Sequence, residues 1–73
     1  MTKDGPDAEL FELARVISLA RVELCYGKND RRIAKLENMQ AENYHHNSDP
    51  DMDIGLASAK ALLKRYQLTP ISA

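Results

Sequence analysis

Val22-Glu23-Leu24-Cys25-Tyr26-Gly27-Lys28-Asn29-Asp30-Arg31-Arg32-Ile33-Ala34-Lys35-Leu36 is the stretch on which the fold class turns. In a helical reading, Gly27 follows the last turn of one helix, a position that favours a residue without Cβ. Asn29 or Asp30 then caps a second helix, its side-chain oxygen accepting from an amide of the first turn. In a strand reading, Val22 to Tyr26 alternates, and Gly27-Lys28-Asn29-Asp30 closes a four-residue hairpin loop. The returning half, Arg31 to Leu36, alternates poorly. Helices are therefore expected, and a β-hairpin around residues 22–36 is the minor alternative.

Upstream, Leu10, Leu13, Ala14, Ile17, Ala20 and Leu24 recur at spacings of three and four, the period of a helix face. Phe11, Val16, Leu19 and Val22 widen that stripe, which marks this helix as the central element. Its start is signalled by Asp4-Gly5-Pro6, with Asp7 and Glu9 at the positive end of the helix dipole. Downstream, the second helix is expected from about Arg31 to Tyr44 with a narrow stripe of Ile33, Leu36, Met39 and Tyr44. A polar connection over residues 43–51 follows. Ser48 or Asp49 caps a third helix, Pro50 takes its first position, and Asp51 and Asp53 load its first turn with negative charge. That helix is expected to reach about Gln67, with Met52, Leu56, Ala59, Leu62, Leu63 and Tyr66 facing inward. Gly55 near its start costs up to about 1 kcal/mol against Ala. Lys60, Lys64 and Arg65 suit its negative end, and Leu68-Thr69-Pro70 stops it. The expected architecture is one all-α domain over residues 1–73, a small three-helix unit ordered over about 6–68 with flexible tails.

The chain has 73 residues, 44% hydrophobic and 29% charged, with four aromatic side chains in Phe11, Tyr26, Tyr44 and Tyr66. A chain this short buries about 60% of its unfolded surface, so the core is small and an enclosed catalytic cavity is not expected. The formal net charge of −1 disfavours binding driven by phosphate attraction alone. The charges are segregated: Asp4, Asp7, Glu9 and Glu12 precede any cluster of bases, and Lys28, Arg31, Arg32 and Lys35 stand against Asp30 alone. Such a pattern suits docking on a partner with its own charge pattern. The single Cys25 excludes an internal disulfide and points to a reducing, cytoplasmic setting. The first residues do not read as a signal peptide, and no stretch approaches the length of a membrane span.

His45, His46, Asp49, Asp51 and Asp53 carry metal-ligating groups, but the spacing is wrong for a site. An EF-hand counted from Asp49 needs Gly at its sixth position and Glu at its twelfth, where Ile54 and Lys60 stand. The two His are adjacent, so their rings diverge, and helix capping accounts for the Asp residues. No metal or cofactor is expected. Cys25 lacks a nucleophile motif and reads as a structural thiol. Gly5, Gly27 and Gly55 are isolated, so no phosphate loop is present, and no enzyme is expected. The segment Ala57 to Pro70 is like the first helix of a helix-turn-helix, whose recognition helix would have to follow Pro70. The one compact basic cluster is Lys28, Arg31, Arg32 and Lys35 beside Tyr26, and these five are the candidate partner-binding residues. Arg near a helix start opposes the dipole, a local conflict that favours a role other than stability.

The segments Glu9-Leu10-Phe11-Glu12-Leu13-Ala14-Arg15, Gly27-Lys28-Asn29-Asp30-Arg31-Arg32 and Leu62-Leu63-Lys64-Arg65-Tyr66 make the chain resemble the short transcription regulators of tailed bacteriophages that bind the host RNA polymerase. The resemblance runs end to end but involves no diagnostic motif, so no binding residue is carried over from it. It implies a non-enzymatic factor in the host cytoplasm. Such a factor docks on bacterial RNA polymerase, inhibits host promoter use and promotes antitermination, touching a nucleic-acid backbone only within that complex. A monomer or weak dimer is expected on that reading. The rival reading is a homodimeric helical regulator or antitoxin-like module, suggested by the broad apolar circumference of the first helix.

Overall fold

A computed structural model describes residues 8–44, 46 and 48–66. Over these residues the protein is an all-α domain of three helices: α1 over Ala8–Tyr26, α2 over Arg31–Asn38 and α3 over Pro50–Arg65, with a short 3-10 turn at Ala41–Asn43 before α3. No strand occurs among the described residues, and residues 22–26 are helical, so the hairpin alternative is overturned. Gly27 has φ +102°, the left-handed backbone that stops α1. The Asp30 carboxylate accepts from the Arg32 amide at 2.9 Å and caps α2. Asp49 caps α3 by accepting from the amides of Asp51 and Met52 at 2.9 and 3.3 Å, with Pro50 in the first position. The Asp4-Gly5-Pro6 start signal, the Leu68-Thr69-Pro70 stop and the expected tails lie outside the described residues.

Two helix boundaries differ from expectation. α2 ends at Asn38, not Tyr44, because Met39 and Gln40 are extended. The Arg15 guanidinium reaches across from α1 and donates to the carbonyls of Leu36, Glu37 and Met39 at 2.5, 3.0 and 2.9 Å. A cation there serves the negative end of α2 and bonds carbonyls of its last turn and of the residue just after it. The chain then turns and brings Tyr44 into the core. α3 ends at Arg65, with Tyr66 extended and its amide donating to Leu62 O at 2.8 Å. Gln67, the expected end, lies outside the described residues.

The core is made by Phe11, Ala14, Val22, Leu36, Tyr44, Met52 and Ala59, with Ser18 buried among them. Phe11 and Tyr44 meet edge to face, with ring centroids 5.3 Å apart. The buried stripe of α1 is thus Phe11, Ala14, Ser18 and Val22. Leu10, Leu13, Ile17 and Leu19 flank it, while Leu24 is 87% exposed. The expected stripe was displaced because α1 turns its small residues toward α3. A Cβ at position 55 would overlap Ser18 Oγ and lie 2.5 Å from the Ala14 carbonyl oxygen, so Gly55 permits the two backbones to approach. Ser18 Oγ spans the same junction and donates to Asp51 O at 2.8 Å. The glycine expected to weaken α3 is instead what lets it pack.

These contacts pair Ser18 with Asp51 and Ala14 with Gly55, so α1 and α3 run antiparallel. α1 packs on both other helices, whereas α2 touches α3 little beyond the reach of Lys35. Leu62, Leu63 and Tyr66, expected inward, are 36%, 42% and 58% exposed. On the antiparallel register Ala8, the first described residue of α1, lies level with about residue 61, and α3 continues past it.

Candidate docking surface

The five residues singled out in the sequence are brought to one end of the bundle, then divided by their partners. Gly27 interrupts the helix, so Lys28 and Arg32 do not share a continuous helical face. Arg32 lies with its guanidinium carbon 4.0 Å from the centroid of the Tyr26 ring. The same group donates to both carboxylate oxygens of Asp30 at 3.0 Å. A guanidinium held between a carboxylate and an aromatic face is a pre-ordered plate. The Arg32 amide and then its guanidinium hold the Asp30 carboxyl below its usual range, and Asp30 in turn raises Arg32.

Lys35 is engaged elsewhere. Its ammonium sits 2.7 Å from Asp49 and 3.4 Å from Asp51, while Arg21 reaches Asp51 at 2.6 Å. This four-residue network ties α1 and α2 to the first turn of α3. Lys35 is thus tied to the start of α3 by two carboxylates. Lys28 and Arg31 remain exposed, with no ion-pair partner among the described residues. The surface that stays available is Tyr26, Lys28, Arg31 and the outer face of Arg32.

The acidic residues of α3 are absorbed by the fold. Asp49 and Asp51 serve the cap and the ion network, and Asp53 Oδ1 stands 2.5 Å from the Tyr44 hydroxyl. That hydroxyl also accepts from the Asp49 amide at 3.0 Å and lies 2.8 Å from the Asp49 carbonyl, with one proton to donate to either oxygen. Burial first, and the Asp53 carboxylate next, push the phenol up to about 12. Among the described residues no three His, Cys, Asp or Glu side chains gather as metal ligands, and His45 lies outside them. Cys25, read from sequence as a structural thiol, is exposed on α1. An open groove of about 340 Å³ is lined by Asn38, Met39, Gln40, Asn43 and Tyr44. It offers carboxamides and a phenol that is already hydrogen-bonded.

Sequence reasoning missed Arg15 and Ser18 as organising residues, since their partners lie on other elements, and it expected Tyr44 to pack but as part of α2. It also missed a second exposed surface, at the opposite end of the bundle. There Leu62, Leu63 and Tyr66 stand beside Lys60, Lys64 and Arg65, none of which has an ion-pair partner among the described residues. No family model matches the chain, and neither the curated proteins nor the solved structures include a significant match. No helix among the described residues is long and apolar enough to cross a membrane.

Proposed function

We propose that the protein is a non-enzymatic docking factor whose partner is a bacterial RNA polymerase, as its resemblance to the short phage regulators implies. The observation that carries the docking half of this reading is the Arg32–Tyr26 plate flanked by the exposed Lys28 and Arg31. A stacked guanidinium has lost its rotamer freedom before binding, so less entropy is spent when it meets an acidic surface. Binding through this patch would inhibit host promoter use and promote antitermination by occupying a polymerase surface, without chemistry by the factor itself. The cytoplasm is the corresponding location.

The test uses purified polymerase and the Lys28→Glu/Arg31→Glu double variant. These two positions are chosen because Arg32 also supports the α2 cap through Asp30. The variant is expected to keep its helicity and to bind at least about tenfold more weakly, the scale of a lost charged contact. Promoter-dependent transcription would then be released in parallel. Unchanged binding at moderate salt, or no binding by the wild-type chain, overturns the reading.

The alternative, a homodimeric regulator or antitoxin-like module, is favoured by a different observation. Leu24 is 87% and Val16 63% exposed on α1, surplus apolar surface that a second copy could cover. Sedimentation decides this: a stable dimer at low micromolar concentration supports the alternative, and a monomer favours the docking factor.

A further inference from the structure

α3 carries more packing surface than α1 uses. Met52, Gly55, Ala59, Leu62 and Tyr66 recur at spacings of three and four, the seam of a helix that packs against another along its length. The first three positions are buried against the bundle. The last two, with Leu63 beside them, continue the same face into the region past Ala8 and are exposed. This half of the seam is only partly covered: Leu62, Leu63 and Tyr66 keep 36%, 42% and 58% of their surface open.

On α3 itself its flanks are all of one sign. From Ile54 to its end at Arg65 α3 holds no acidic residue, while Lys60, Lys64 and Arg65 lie in the same stretch. Helical spacing places Lys60 on one side of the seam and Arg65 on the other, with Lys64 behind. None of the three has an ion-pair partner among the described residues. A second copy laid antiparallel on this seam would bring Lys60 and Arg65 of both copies together, which opposes self-pairing. The seam spacing selects a helix as the occupant, and the rim selects its charge.

We infer that the C-terminal half of α3 is a docking seam for an acidic amphipathic helix of a partner protein. Leu62, Leu63 and Tyr66 receive its apolar stripe, and Lys60 and Arg65 face its Asp or Glu flanks. This is a helix-in-groove mode of recognition with a charged rim. It lies at the other end of the bundle from Tyr26, Lys28 and Arg31, and does not depend on the polymerase reading.

The test titrates the full isotope-labelled chain with a synthetic helix carrying Leu at i, i+3, i+4 and i+7 and Glu at the flanking positions. A twin peptide with Lys in place of Glu is the control. The acidic peptide is expected to shift the amide signals of residues 59–66 saturably, leaving those of Lys28 and Arg31 in place. Leu63→Glu should weaken it by at least about tenfold, the effect of removing a central apolar anchor. Lys60→Glu/Arg65→Glu should transfer preference to the Lys twin with helicity unchanged, which a merely sticky surface would not do. Equal binding of both peptides overturns the inference, as does the absence of saturable shifts at residues 59–66. So does movement of those signals with protein concentration alone, which would assign the seam to a second copy. Binding to phosphatidylserine vesicles in place of the acidic peptide would assign it to a membrane and equally overturn the inference.

Discussion

Gly55 shows how a single residue can be read correctly for its local propensity and wrongly for its effect. Glycine inside a helix ordinarily costs up to about 1 kcal/mol against alanine. Here the methyl of Gly55→Ala would run into Ser18 Oγ and the Ala14 carbonyl, one of them backbone that cannot step aside. Gly55→Ala is therefore expected to destabilise the fold by about 1–3 kcal/mol, the range for overpacking a tight junction, as measured by urea unfolding. A stabilising result would mean that the helices part there at little cost. Arg15 was illegible for a related reason. Its carbonyl partners lie 21 to 24 positions away, and nothing in its own neighbourhood announces that a guanidinium will close the end of another helix. The caps Asp30 and Asp49 were legible because their partners lie two and three residues on.

The existence and order of the helices could be read from caps, Pro50 and Gly27, because those signals act within a turn. The inward face of α1 could not. Two apolar stripes coexist in its sequence, and the one that packs is chosen by the small residues of α3, which belong to another part of the chain. The fate of the basic cluster was likewise settled between elements: Lys35 was drawn off by α3, while Lys28 and Arg31 were left outside. This link between α2 and α3 makes a prediction about acid. Burial raises the Asp49 carboxyl, but the Lys35 ammonium and the amides of Met52 and Asp51 outweigh it, and the net position is below the usual value. A carboxyl lower in the folded state than in the unfolded one contributes stability above its unfolded pKa of about 3.9. That contribution is lost as pH falls through the folded value. The urea midpoint should thus decline below about pH 4, and Lys35→Met should flatten the decline. An identical acid profile in that variant would show that the Lys35 link carries no stability.

At the scale of the molecule, the described residues form a pair of long antiparallel helices with a lightly held third. α1 and α3 share most of the core, whereas α2 supplies Leu36 as its one buried residue. The carbonyls at its end are held by Arg15. Local opening should therefore reach α2 first. In native-state hydrogen exchange, amides of residues 34–38 are expected to exchange through an opening cheaper than that of residues 14–22 and 55–62. Equal protection across all three helices would make the bundle a single cooperative unit. Because the Tyr26–Arg32 plate bridges the end of α1 and the start of α2, such an opening would also disassemble the candidate docking surface.

The pairing of Ala14 with Gly55 and of Ser18 with Asp51 has a consequence during synthesis. A chain emerging from its N-terminus completes α1 and α2 well before the glycine that α1 must meet. Through that interval the face of Phe11, Ala14 and Val22 has no lasting cover from α3, and closing the bundle waits on the last third of the polypeptide. A nascent chain halted before Gly55 would present an uncovered helix to chaperones, and one released after Arg65 would present a bundle already shut.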